Sequence, residues 1–180
     1  MGAHVSKSPN EMTKRATPLE TRTIVAMAGS FGFELDVNEM SVEEKAVVKR
    51  QIDTFKEKYD LFQNGLYYRL TDPFEQEDYH AWEIVSEDRS EALVSVATMH
   101  AGYNYPSYIL KVRGLEEDAW YRLDDQILPG QAWMEAGILL PRQGEYESCM
   151  FHLKEAENSR IVRLRAVKNF WLCTIMITVN

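Results

Sequence analysis

The spacing of apolar residues changes period at Gly65, so one type of secondary structure cannot serve both halves of the chain. Before it, Val48, Ile52, Phe55, Tyr59 and Phe62 recur at intervals of three and four, the spacing of one helix face. Ser41 and Glu44 form an S/T-x-x-E capping box in front of them, and Gly65 is a natural stop, which predicts a helix over 41–64. In "TPLETR", Thr17 and Glu20 repeat the capping-box pattern, with Pro18 at the first helical position. A helix over 17–28, ending near Gly29, is predicted there. Phe31, Phe33, Leu35 and Val37 then alternate with smaller or polar residues, which predicts a strand over 31–37. After Gly65 the period is two. Strands are predicted at 67–70, 81–86, 91–99, 108–114, 119–125, 137–141 and 146–154, with a hairpin turn at 86–90. The expected fold is a composite: α/β to residue 65, then an antiparallel β-sandwich over 66–156. The remainder, 157–180, carries Arg160, Arg163, Arg165 and Lys168 and reads as an extra strand, a partner-binding tail or a segment without a fold of its own.

A hydrophobic content of 45% and an aromatic content of 11% suffice for a packed core and argue against wholesale disorder. The net charge of -8 opposes general nucleic-acid binding, which needs a basic footprint. The longest apolar run, 170–179, is shorter than the roughly 20 residues of a membrane-spanning helix. No apolar signal segment opens the chain, and Cys149 and Cys173 show neither disulfide nor metal spacing, so a reducing, cytoplasmic setting is expected.

Catalytic patterns are scarce. Walker, dinucleotide, H-E-x-x-H and G-x-S-x-G signatures are all missing, and His4, His80, His100 and His152 are scattered, with His152 expected at the surface. Glu34 and Asp36 stand two apart on the expected strand 31–37 and would share a face. A carboxylate pair can serve glycoside hydrolysis, but neighbours on one strand cannot flank a sugar from opposite sides. They read as polar positions in a partly wet sheet. Tyr103, Tyr105 and Tyr108 could stack on a sugar or a subunit, but a plain Pro-containing loop between strands is the better account of them. The expectation is therefore no catalytic, cofactor-binding or metal-binding residue, and no cofactor.

In order, "MGAHVS", "TPLETR", "GSFGFELD", "SVEEK", "YYRLTDPFE", "AWEIVSEDRSEALV", "LKVRGL" and "WMEAGILLP" with "GEYES" resemble the C-terminal part of the α-galactosidases of glycoside hydrolase family 36. The resemblance runs from Met1 to about Lys154. It implies retaining enzymes that hydrolyse terminal α-galactosides such as melibiose and raffinose. Their fold would comprise an N-terminal β-domain, a (β/α)8 barrel of about 250 residues and a C-terminal sandwich. Residues 1–65 would then be the end of barrel strand seven, its helix, strand eight and its helix. Residues 66–154 would belong to the sandwich.

The same resemblance places the family's K-W-D nucleophile motif and S-D-N-T-D acid/base motif before the position of Met1. Neither motif occurs in these 180 residues, so no catalytic role can be carried over. The chain thus reads as an internal start, a truncated gene or one half of a split enzyme, inactive alone. "NEMTKR" at 10–15 stands where the family shows an N-H-Q-x-G-R type loop. Two βα units cannot close a barrel, so open strand edges and a bare helix face are expected to need covering. The expected partners are further copies of the chain or an upstream catalytic polypeptide. A galactoside would bind only the complete enzyme. The alternative is a non-catalytic carbohydrate-binding or oligomerisation sandwich.

Overall fold

The computed structural model describes residues 2–72, 74–75, 78–102 and 107–156; the expectations placed on 157–180 and on Tyr103 and Tyr105 lie outside them. The chain begins with a parallel βαβ unit. Strand β1 (Val5–Ser6) pairs with β2 (Phe33–Glu34), and helix α1 (Leu19–Met27) makes the crossover. Helices α2 (Val42–Glu57) and α3 (Tyr59–Asn64) follow. A six-stranded sheet then has the order β3-β4-β5-β10-β7-β8, with every pair antiparallel. Its strands are β3 (Leu66–Arg69), β4 (Tyr79–Val85), β5 (Glu91–Thr98), β7 (Trp120–Leu123), β8 (Gln126–Pro129) and β10 (Ser148–Glu155). The short ladder of β6 (Ile109–Leu110) with β9 (Ile138–Leu139), together with helix α4 (Gly130–Ala136), supplies the opposing layer.

Both faces of the central strands are covered, which explains why β4 and β5 read as nearly continuous apolar runs. Ala81, Val85, Ala92, Val94 and Val96 face the sandwich core with Leu110, Tyr121, Trp133 and Leu153. Their alternates Trp82, Ile84, Leu93 and Ala97 face the other way and meet Met27, Phe55, Leu61 and Phe62 of the helices. Phe55 and Phe62 stack with ring centroids 5.3 Å apart. The apolar stripe expected on 41–64 is therefore only partly used. Phe55 and Phe62 are buried, while Tyr59, beyond the break at Lys58, packs edge-on against Phe55 at 5.8 Å and stays 55% exposed.

Three expectations are corrected, each by a competing bond. The capping box at Ser41 forms in full, with Ser41 Oγ accepting the Glu44 N–H at 3.1 Å and Glu44 Oε2 accepting the Ser41 N–H at 2.8 Å. The one at Thr17 does not. Helix α1 opens on Pro18 without a side-chain cap, because the Thr17 carbonyl accepts the Arg22 Nε–H and its N–H goes to Ser8 Oγ. The strand expected over 31–37 shrinks to two residues, as the Asp36 carboxylate takes the Asn38 N–H and starts a 3-10 turn over Val37–Glu39. Only Ile109 and Leu110 of 108–114 are strand, because the Arg113 N–H is claimed by the Glu83 side chain. Strand β8 and helix α4 were not expected at all. Gly65 does stop the helix, yet in an extended conformation; its need is space, since a Cβ would lie 2.5 Å from Leu61 O and from Ile84 Cγ2.

The formed capping box carries a first prediction. Ser41→Ala is expected to cost about 1 kcal/mol, read as a melting temperature lower by about 2–4 °C with an unchanged sheet signature in far-UV circular dichroism.

Candidate functional site

In a barrel the reactive face lies beyond the C-terminal ends of the parallel strands. Here that position is occupied by the loop from β1 to α1, which encloses a cavity of about 250 Å³ lined by Ser6, Lys7, Ser8, Asn10, Thr13, Arg15, Thr17 and Arg22. Asn10 organises the loop. Its Oδ1 accepts the N–H groups of Met12 (3.0 Å) and Thr13 (2.9 Å) and the Thr13 hydroxyl (3.2 Å), a local turn that an asparagine side chain closes by itself. The Asn10 N–H donates to Arg15 O and the Lys14 N–H returns to Asn10 O, both at 2.9 Å, so the turn is closed twice. Lys14 sits at φ 58, a left-handed conformation that this double closure imposes.

Three cations surround the cavity, each held differently. Arg22 donates to Thr17 O at 3.0 Å and to Ser6 O, so carbonyl oxygens rather than a carboxylate hold it. Burial lowers its pKa from the ordinary value, opposed by the charges of Glu44 and Glu20. Lys7 pairs with Glu39 at 2.8 Å, and that hydrogen bond raises its pKa. Arg15 lies over the Tyr146 ring at 5.1 Å, joining the loop to the sheet domain, and Thr21 Oγ donates to Tyr146 O at 2.6 Å beside it. The lining offers amide, hydroxyl and guanidinium groups but no carboxylate and no imidazole. It can hold and orient oxygen-rich groups; it contains no pair able to give and take a proton.

The other residues weighed in the sequence fall apart. Glu34 pairs with the exposed His4 at 2.8 Å, whereas Asp36 is spent on its turn, so the two carboxylates share no site. His152 is less exposed than expected. Its Nε2 lies 2.7 Å from Glu91 Oε2, which also accepts from Lys58 Nζ at 2.9 Å, and the trio ties the helices to the sheet. The Glu91 pKa is lowered overall: desolvation raises it, and the Lys58 and His152 hydrogen bonds and charges outweigh that. The Tyr108 hydroxyl donates to Asp78. Among the described residues, no three His, Cys, Asp or Glu side chains gather as a metal would require, and no helix is long and apolar enough to cross a membrane. Sequence reasoning reached the loop only through the "NEMTKR" departure; Arg22 was visible within "TPLETR" but its inward position was not.

A parallel βαβ unit whose mouth faces a polar cavity, joined to an antiparallel sandwich, has the architecture of the end of a (β/α)8 barrel followed by a β-sandwich domain. Comparison with known proteins agrees. Residues 79–153 match the "Glycosyl hydrolase family 36 C-terminal domain" and residues 1–65 match "Melibiase". The chain belongs to glycoside hydrolase family 36 and corresponds to its C-terminal part. It is 45% identical over 163 residues to the bifunctional alpha-galactosidase/sucrose kinase of Mediterraneibacter gnavus, covering 87% of this chain and 17% of that protein. To alpha-galactosidase AgaA of Geobacillus stearothermophilus it is 40% identical, covering 87% and 22%. The crystal structure of AgaA superposes with a TM-score of 0.83, and that of a Lactobacillus brevis alpha-galactosidase with 0.84 at 30% identity, covering 89% of this chain and 23% of the other. Variants of AgaA have been solved with raffinose and with stachyose. This chain thus spans about a fifth of the length of these relatives.

Proposed function

We infer that this chain serves as the C-terminal portion of an α-galactosidase acting on terminal α-galactosides of the raffinose type. Residues 1–65 supply the last strands and helices of the catalytic barrel, and residues 66–156 form the sandwich that braces them. The whole enzyme would proceed by double displacement, with one carboxylate as nucleophile and one as acid/base. Neither role falls to a residue of this chain. The observation that carries this reading is the mouth cavity, which has positioning groups and no carboxylate, at the end of β1 in a parallel pair whose outer edges have no further strand among the described residues. Such edges, and the exposed Val42 and Tyr59 on the helices, favour association with an upstream polypeptide or further copies of the chain. A cytoplasmic setting accords with the unpaired Cys149.

A chromogenic α-galactoside tests it. The purified chain alone is expected to give no turnover above buffer, whereas mixing it with a polypeptide carrying the two aspartate motifs gives turnover. Release of the chromophore by the chain alone would sink the reading and redirect attention to Glu34 and Asp36.

A further inference from the structure

A second cavity, of about 310 Å³, lies on the sandwich, away from the barrel mouth. It is lined by Arg69, Leu70, Thr71, Asp72, Phe74 and Arg113. Its volume falls at the small end of the roughly 300–1,000 Å³ typical of ligand cavities. Two things distinguish it. Arg69 and Arg113 are exposed guanidinium groups with no carboxylate in pairing distance among the described residues, on a chain whose net charge is -8. And Phe74 is 92% exposed, the most exposed aromatic ring among the described residues.

These groups are held in place through their backbones, which leaves the side chains free. The Leu70 N–H donates to Ala81 O at 3.0 Å and Thr71 Oγ accepts the Ala81 N–H at 2.9 Å, fastening the segment after β3 to β4. Asp72 Oδ1 accepts the Phe74 N–H at 2.9 Å, which fixes the turn that presents the ring. The Arg113 N–H donates to the buried Glu83 carboxyl at 2.7 Å, so its backbone is anchored in the core while its side chain points outward. Gly114 beside it has φ 74, and a Cβ there would come within 2.6 Å of the Tyr68 ring, so the approach of this loop to β3 requires glycine.

We propose that this groove is a binding site for an acidic saccharide, a sugar bearing one carboxylate. Two guanidinium forks match the oxygens of a carboxylate, the Phe74 ring offers a flat apolar face to the C–H side of a pyranose, and Asp72 and Thr71 accept and donate to hydroxyls. Asp72 also decides against a phosphate ligand: its charge in the same lining repels a dianion more than a monoanion that brings hydroxyls to donate. This site stands independently of the galactosidase reading, since it uses no residue of the barrel mouth.

Isothermal titration of the full chain with galacturonate, raffinose, inorganic sulfate and adenosine monophosphate tests it. Saturable binding of galacturonate is expected, weakening as salt rises, with none for raffinose. Arg69→Gln and Arg113→Gln should each lower the affinity about tenfold, and Phe74→Ala comparably. All three positions are exposed, so these variants should melt with the wild type. Failure of galacturonate to bind, or binding that the three variants leave untouched, would overturn the proposal. So would equal affinity for sulfate or for adenosine monophosphate, which would mark a general anion site.

Discussion

Tyr121→Ala should destabilise the sandwich by about 3–5 kcal/mol, the range for deleting a fully buried large aromatic. Tyr121 has 0% exposure, and three bonds converge on it. Its hydroxyl donates to Arg89 O at 2.7 Å and accepts the Glu116 N–H at 3.0 Å, and its carbonyl accepts the Trp133 Nε1–H at 3.0 Å. One residue thus holds the β4–β5 turn, the loop before β7 and helix α4 together. Burial also raises the pKa of the phenol, so the donor proton stays in place at neutral pH. Domains of this size retain only about 5–15 kcal/mol, so the loss would consume a large share. In urea titrations the midpoint should fall sharply with an unchanged slope. Tyr121→Phe separates the two contributions. It keeps the ring and should cost about 1–3 kcal/mol, because the Glu116 N–H and Arg89 carbonyl lose their partner. A Tyr121→Ala midpoint within experimental error of the wild type would mean the core repacks around the gap.

What could be seen in the sequence was what is decided locally. Ser41 and Glu44 lie three residues apart, and their reciprocal bonds form within one turn. The turn at 86–90 likewise closes on itself, with the Asp88 carboxylate accepting from Ser86 Oγ and the Ser90 N–H. Errors arose where a distant group won. Arg113 leaves its strand because Glu83, thirty residues earlier, accepts its N–H. Helix α4 has no side-chain cap to announce it, and the bond from Trp133 to the Tyr121 carbonyl crosses between elements. The polar loop at the barrel mouth followed the same rule. An Asn10 turn is readable in principle from its neighbours, but Arg22 reaches Ser6 only once β1 and α1 have packed. The family resemblance located the barrel end; it could not show that the cavity there lacks a carboxylate.

Glu83 carries the prediction with the widest reach in pH. It has 0% exposure on the sandwich side of β4, where Oε2 accepts the Arg113 N–H at 2.7 Å and Oε1 has no partner. Burial pushes its pKa from 4.5 up to about 8, against the opposing pull of the Arg113 N–H and charge. The unfolded carboxyl releases its proton near 4.5 and the folded one near 8, so between those values the native state holds one more proton than the unfolded state. Stability must therefore be greatest below about pH 4.5 as far as this group is concerned. It should fall by up to about 1.4 kcal/mol per pH unit as pH rises, and level off above about 8. Glu83→Gln keeps an acceptor for the Arg113 N–H and removes the titration, so the variant should gain on the wild type steadily from pH 5 to 8. Urea midpoints of both proteins at pH 5, 6.5, 8 and 9 measure this directly. Curves that run parallel would show that Glu83 ionises alike in both states, which requires water to reach Oε1. Diverging curves would mean that at neutral pH the sandwich is held by a protonated carboxyl.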